Sequence, residues 1–466
     1  MPTISTALVL EALPVDSLRK RLDGKLVEPG GAAYAEARQS YNAMIEKWPA
    51  LIVYCTSAND VAEAVNFARE HDLEVAIRSG GHSGSGLCLV HEGLVIDLSP
   101  MNSIHVDPER KRARVQGGCT WADVDEATYP FGLAAVNGVV SSTGVGGLTL
   151  GGGHGYLTRK YGLTIDNLVA ADVVLANGKH VHANAEQHSD LFWALRGGGG
   201  NFGVVTAFEF QLQPIDTVVG GPFFWPIDLL EETLRWYRDW LPAMPDDVYA
   251  SYLTAEVPSS NLFPEEIHGE KVCGLYWCYV GEPDAFDKYI QQARNVAPPI
   301  YESVGPMPYL KLQRMLDWLY PPGDQWYWKG SFVKTLSDEA IRKHRRFGHV
   351  PTPQSAMHLY PIDGAAHRVQ SDETAWYHRD ATWSMAIMGV DPDPTNRARI
   401  TRWARNYWHA LAPHSAEGAY INFMMEEGQE RIRATYGDNY ERLQQVKATY
   451  DPDNFFHVNQ NIEPAG

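Results

Sequence analysis

The chain has 466 residues, enough at ~100–200 per domain for two or three domains with sizeable cores. Hydrophobic residues make up 44% and charged residues 21%, the balance of a folded globular protein. Its 39 Lys and Arg face 57 Asp and Glu, a formal charge of −18, which repels phosphate polyanions and argues against nucleic acid or anionic membranes as partners.

Apolar runs such as Thr6–Val9 and Val169–Ala176 fall far short of the ~20 residues that span a bilayer. Met1 to Arg19 carries neither the basic start nor the apolar core of a secretory signal. The five cysteines (Cys55, Cys88, Cys119, Cys273 and Cys278) form no C-x-x-C pair and suit reduced thiols. A cytoplasmic enzyme is expected.

In chain order, Leu51–Cys55 reads as a short apolar strand. Ser57 with Asp60 resembles a capping box, and Val61, Ala64, Val65 and Ala68 then recur at helical spacing. Glu74–Arg78 is the return strand of a β-α-β unit and runs straight into a glycine loop. Strands are expected at Leu94–Leu98, Ala113–Gln116, Ala170–Ala176 and Val204–Leu212, with a hairpin-type turn at Asn177-Gly178. From about Pro214 glycine thins and aromatics rise. Strand-like alternation appears in Val272–Val280, Gln325–Lys334 and Thr382–Gly389, with helices over Leu229–Leu241 and Ile400–Leu411. The tail reads as one amphipathic helix, Arg431–Tyr450, broken at Asp451-Pro452. The whole is α+β, without solenoid repeats or low-complexity stretches.

Glycine concentrates in three clusters: Gly80 to Gly86, Gly144 to Gly155, and Gly197 to Gly203. Their neighbours are mostly apolar (Val145, Leu148, Phe202, Val204, Val205), which suits loops packed around a ligand better than free surface loops. Gly198, Gly200 and Gly203 match G-x-G-x-x-G, but a helix precedes and a strand follows. That reverses the order a Rossmann pyrophosphate site needs. There is no Walker-type loop, no H-E-x-x-H, no zinc spacing and no G-x-S-x-G elbow, so no metal is expected. His180 and His182 suit a solvated strand face. What remains is Arg78-Ser79-Gly80-Gly81-His82-Ser83, an open histidine after a strand, with Arg78 as a cation for a phosphate.

These motifs resemble the berberine-bridge-enzyme-like branch of the vanillyl-alcohol oxidase and p-cresol methylhydroxylase flavoproteins. The matching pieces begin with Arg78–Ser83, Thr143–Gly147 and Gly151–Gly155. Gly162-Leu163 with Asp166-Asn167-Leu168 follows, then Arg196 to Thr206. The close of the chain also matches, from Tyr420-Ile421-Asn422 through Asp451-Pro452-Asp453-Asn454 to Asn459-Gln460-Asn461-Ile462. The resemblance implies a two-subdomain FAD-binding domain with an inserted substrate domain of antiparallel sheet and helices. Residues 1–214 and 411–466 would form the first and residues 215–410 the second. It implies FAD contacts at Arg78, Ser79, Gly80, Gly81, Ser83, Val140, Thr143, Gly144, Gly146 and Gly147. Further contacts would come from Gly153, His154, Gly155, Asp166, Asn167, Gly203, Val204, Val205, Tyr420, Asn422, Asn459 and Gln460. His82 would bond the flavin 8α-methyl covalently, which raises the flavin potential.

Departures from the family pattern refine this. Where many relatives carry a second, cysteinyl tether in G-x-C-x-x-V-G, this chain reads Gly138-Val139-Val140-Ser141-Ser142-Thr143-Gly144. A single histidyl link is therefore expected. Thr143 stands where valine accompanies oxygen reactivity and has nearly valine's shape. Phe423 replaces the tyrosine base of sugar-oxidising relatives, and Arg368 falls where alkaloid-cyclising relatives have glutamate. The remaining catalytic candidates are Tyr420, Tyr327, His154 and Lys329. In the run Trp326-Tyr327-Trp328-Lys329 the alternate residues share a face; either pair could line a pocket, and Lys329 would be the polar member of a flavin-facing set. The expected activity is oxidation of a small alcohol or amine, with O2 as acceptor and H2O2 as product. The alternatives are a dehydrogenase of the same fold or a non-catalytic flavin-binding protein.

Overall fold

The computed structural model describes residues 13–466. The run Thr6–Val9 and most of the segment read for a secretory signal lie outside them. The described residues form three sheets. The first has the order β1 (Lys25–Val27), β2 (Leu51–Tyr54), β4 (Leu94–Asp97), β3 (Val75–Arg78). β2, β4 and β3 run parallel, as a β-α-β crossover requires. The crossover helix Ala58–Glu70 buries Val61, Ala64, Val65 and Ala68, the stripe that the spacing predicts. Its cap differs from a full capping box. Ser57 Oγ accepts the Asp60 N–H at 3.2 Å, but the Asp60 carboxylate reaches back to Thr56, accepting its N–H and hydroxyl at 2.8 Å each.

The second sheet is antiparallel, in the order β5 (Ile104–Asp107), β6 (Arg112–Gln116), β9 (Val204–Gln211), β7 (Leu168–Val174), β8 (His180–Asn184). The Asn177-Gly178 turn joins β7 to β8. There Gly178 takes φ +75° and Asn177 Oδ1 accepts the Lys179 N–H.

The third sheet has eight antiparallel strands from residues 217–391. Its path is β13 (Tyr301–Glu302), β10 (Thr217–Pro226), β12 (Lys271–Tyr279), β11 (Val248–Glu256), β16 (Ala356–Pro361), β17 (Trp383–Asp391), β15 (Gln325–Val333). β14 (Gly305–Pro308) pairs beside β10. One face packs on the helices Leu230–Trp240, Asp338–Phe347 and Arg397–Leu411, burying Trp225, Tyr252 and Trp277 against Leu234, Ile341 and Tyr407. The other face carries Phe224, Tyr276, Trp326, Trp328, Tyr360 and Met388.

The tail departs from the single helix expected over Arg431–Tyr450. It forms two helices, Gln429–Tyr436 and Tyr440–Tyr450, parted at Gly437. Gly437 takes φ +48°, and a Cβ there would lie 2.3 Å from the Tyr377 ring, so the chain turns where only glycine fits. Beyond it Lys447 and Asp451, both fully buried, pair at 2.6 Å. Lys447 Nζ also donates to the carbonyls of Asn201 and Phe456. This fastens the tail to the Gly197–Gly203 loop. Among the described residues no helix is long and apolar enough to cross a membrane.

Candidate active site

The loop leaving β3 and the loop before the short helix Val145–Leu150 meet backbone to backbone. A Cβ on Gly80 would sit 2.5 Å from Gly144 Cα, and one on Gly144 would sit 2.3 Å from Gly80 N. Ser79 Oγ binds the junction, donating to Gly117 O at 2.6 Å and accepting the Gly146 N–H at 3.3 Å. Two glycine clusters are thus interlocked, and together they floor a cavity of about 310 Å³. Gly81, Ser83, Val140, Thr143 and Gly147 line it, as do Gly203 and Val205 from the third cluster. Asn422, Asn459 and Gln460 close it from the tail, and the aromatic face of the third sheet covers it through Trp326, Trp328, Tyr360 and Met388.

His82 stands on the wall of this cavity. Its ring stacks on Tyr41 with centroids 3.8 Å apart and planes at 22°. Its Nε2 shares a hydrogen bond with Ser142 Oγ at 3.0 Å. Burial pulls its pKa down to about 4, so the imidazole is neutral. Tyr41 is fixed by donating to Tyr320 O at 2.8 Å. The neighbouring Asn42 Nδ2 donates to Gly84 O and Trp326 O, while its Oδ1 accepts the Trp326 N–H. Nothing in the local sequence marks Tyr41 or Asn42, because their partners lie far along the chain.

His154 and Tyr420 face each other across 4.7 Å between ring centroids, and both line the cavity. His154 Nε2 is paired with Ser384 Oγ at 3.1 Å, while its buried Nδ1 has no hydrogen-bond partner. Burial lowers its pKa to about 3. The Tyr420 hydroxyl accepts from Asn422 Nδ2 at 2.7 Å, and burial pushes its pKa far up. None of the described residues lining the cavity is Asp, Glu, Lys or Arg.

Several residues expected at the cofactor lie elsewhere. Arg78 ion-pairs with Asp97 and donates to the carbonyls of Ala37 and Gln39, so its charge is neutralised off the cavity. Asp166 forms a two-pronged ion pair with Arg379, both bonds 2.7 Å. Asn167 binds the carbonyls of Tyr161 and Leu163 and accepts from Gln213. Gly153 and Gly155 are glycines for packing: a Cβ would meet Thr164 Oγ1 or Asn137 O at 2.2 Å. Val204 is buried with Ile96 and Leu98 in the first sheet's core.

Tyr327 and Lys329 are likewise corrected. They point to the helix side of β15, where Tyr327 accepts from Arg405 Nε at 2.7 Å and Lys329 pairs with Glu427 at 3.0 Å. It is the alternate pair, Trp326 and Trp328, that reaches the cavity. Arg368 is exposed and pairs with Asp246. Cys119 is buried in the second sheet's core. Cys88 lines the cavity, but burial holds its thiol above the usual range.

The cavity suits a ligand that meets glycine backbone on one side and aromatic side chains on another. Gly147 and Gly200 line it with nothing within 4 Å of where a Cβ would be, which leaves their backbone open to a close ligand. Four of the residues that line it also carry a buried polar atom without a partner: Asn459 Oδ1, His154 Nδ1, and the indole nitrogens of Trp326 and Trp328.

Comparison with known proteins agrees. Residues 49–184 match a family model described as an FAD binding domain, and residues 419–463 match one described as berberine and berberine like. The fold and these regions define an FAD-linked oxidoreductase of the p-cresol methylhydroxylase type. The FAD-linked oxidoreductase YgaK of Bacillus subtilis is 33% identical over 456 residues, covering 96% of this chain and 98% of that protein. The (R)-6-hydroxynicotine oxidase of Paenarthrobacter nicotinovorans is 29% identical over 473 residues, covering 96% and 98%. The crystal structure of 6-hydroxy-D-nicotine oxidase from Arthrobacter nicotinovorans superposes with a TM-score of 0.85 at 28% identity, covering 95% and 98%. The chain belongs to the berberine-bridge-enzyme-like family of FAD-linked oxidoreductases.

Proposed function

We propose that this chain is an oxidase that takes a hydride from a small uncharged alcohol or amine and reduces O2 to H2O2, with FAD tethered through His82 alone. The observation that carries the reading is the state of His82. Its ring is neutral, held by Tyr41 and by Ser142 at Nε2, which leaves Nδ1 as the nitrogen free to bond. Val140 offers no thiol, and the raised pKa of Cys88 makes it a poor nucleophile. Residues 1–214 and 411–466 would hold the cofactor, and residues 215–410 the substrate. The Ser79–Ser83 loop with Gly144, Gly146 and Gly147 would hold the pyrophosphate. FAD, when bound, supplies the hydride acceptor and its potential.

The chain's own residues set the substrate's character. No charged side chain lines the cavity to pair with a substrate's ammonium or carboxylate, whereas the pyrophosphate would be met by backbone N–H groups of the glycine loops, and this favours a neutral substrate. Trp326, Trp328, Tyr360 and Met388 supply an aromatic and thioether wall. His154 Nδ1, neutral and unpartnered, accepts a hydrogen bond from the substrate's O–H or N–H and orients it. With a pKa near 3 it does not retain a proton, so an amine leaves its proton in water before it binds. Thr143 gives oxygen a valine-shaped neighbour. All five cysteines are free and buried, which suits a reducing cytoplasm.

The test is whether yellow colour stays with acid-precipitated protein. Retention in the wild type and loss in His82→Ala is the expected result. Flavin that washes off the wild type removes the tether, and a protein that takes up no FAD overturns the reading. In an oxygen electrode, substrate-dependent uptake marks the oxidase. Flavin bleached by substrate that stays bleached in air marks the dehydrogenase.

A further inference from the structure

The aromatic face of the third sheet extends past the cavity just described. A second cavity of about 230 Å³ lies over β10, β12 and β11, floored by Phe224, Leu253, Val272 and Tyr276. Leu316 and Tyr320 line both cavities and form the wall between them. The boundary runs along β16: Tyr360 lines the first cavity and His358, two residues earlier on the same face, lines the second. Their rings lie parallel, 5.0 Å apart and 1° from coplanar orientation.

Three observations mark the second cavity as built for an occupant. His358 is 3% exposed, yet its Nδ1 has no hydrogen-bond partner, a costly state for a buried polar atom unless a ligand meets it. The lining includes Leu262 and Trp318, two of the three large hydrophobic side chains that stand exposed among the described residues. The volume exceeds the roughly 150 Å³ of an apolar cavity that binds benzene. Its two charged side chains, Glu256 and Lys311, have opposite signs, so the net charge favours a neutral guest.

We propose that this second cavity is a distal subsite for the enzyme's own substrate, holding an uncharged apolar extension of the molecule oxidised in the first cavity. The extension crosses where Leu316 and Tyr320 line both cavities and packs beside His358. The proposal rests on the reading that oxidation takes place in the first cavity. It adds that the substrate is longer than one ring.

Anaerobic calorimetric titration of the holoenzyme with benzyl alcohol and biphenyl-4-ylmethanol tests it, with flavin absorbance followed alongside so that binding heat is told from flavin reduction. The biphenyl compound is expected to bind at least about tenfold tighter, from burial of the second ring. Ala255→Trp, which fills the second cavity from the end of β11, is expected to erase that gain and leave benzyl alcohol unchanged. Ser303→Trp does the same from an exposed position if Ala255→Trp fails to fold. Equal or absent binding of the two alcohols by the wild type overturns the proposal, as does a gain that survives both filled variants. Failure of the oxidase reading is seen separately, as a protein whose bound flavin no alcohol or amine bleaches.

Discussion

Gly144→Ala is expected to unlock the two glycine loops. The new Cβ would lie 2.3 Å from Gly80 N, 2.6 Å from Gly80 Cα and 2.9 Å from Ser79 Oγ. Ordinary contact starts near 3.4 Å, so the loops must part by about 1 Å, a shift typical of overpacked sites that cost about 1–3 kcal/mol. Two of the three clashing atoms are backbone and have no rotamer to change, which places the loss at the upper end. Gly147→Ala is the control, with the opposite sign. Gly147 lies within a helix and meets nothing within 4 Å, so alanine there stabilises the apoprotein by about 0.5–1 kcal/mol. The same methyl stands in the cavity, so FAD uptake falls. Urea denaturation of the apoproteins, with flavin content after reconstitution, reads both effects. Equal stability of Gly144→Ala and wild type would refute the interlocked-loop argument, and full FAD uptake by Gly147→Ala would refute the cradle.

Other consequences are measurable. Lys447→Met leaves the fully buried Asp451 carboxylate without its cation, held only by the N–H groups of Phe455 and Phe456, and is expected to cost about 3–5 kcal/mol in urea denaturation; a loss below about 1 kcal/mol contradicts this. Burial pushes Asp125 up to about 8 although Asn137 donates to it. The folded state therefore holds a proton that the unfolded state releases near pH 4. Stability falls as pH rises between those values, with a slope of at most about 1.4 kcal/mol per unit, and Asp125→Asn is expected to flatten that slope. For an amine substrate, kcat/KM is expected to rise about tenfold per pH unit up to the amine's own pKa, because burial pulls His154 and His82 down to about 3 and about 4 and pushes Tyr420 up. A second, enzymic inflection near neutrality would show a proton acceptor in the cavity.

Local signals carried the reading of this sequence a long way. The glycine clusters, the β-α-β unit and the placement of His82, Thr143 and Val140 on the cavity wall all rest on short stretches of chain. The alternation along β15 was also legible, but the choice of face was not. Tyr327 and Trp326 differ only in which layer lies above each side of the sheet, and that depends on helix Arg397–Leu411 far downstream. Arg78 sits beside the cavity-lining Ser79, and Asp166 and Asn167 belong to a motif that the resemblance implied, yet their own side chains meet Asp97, Arg379 and backbone carbonyls. Adjacency along a strand or turn does not carry side-chain direction. The helix break at Gly437 depends on the Tyr377 ring, which no periodicity can show.

The short segment at Tyr41 and Asn42 has a consequence for recombining these proteins. Asn42 clasps the carbonyl of Gly84 with one hand and the backbone of Trp326 with the other, and the adjacent Tyr41 stacks on His82. The N-terminal arm is therefore a hinge pin between parts that look separable along the chain. A chimera that exchanges residues 217–391 for a relative's stretch, to borrow its selectivity, keeps that pin only where the incoming strand presents its backbone N–H and carbonyl to Asn42 as Trp326 does. The seam to be matched is discontinuous, and its smaller piece, residues 41–45, ends about 170 residues before its larger one begins.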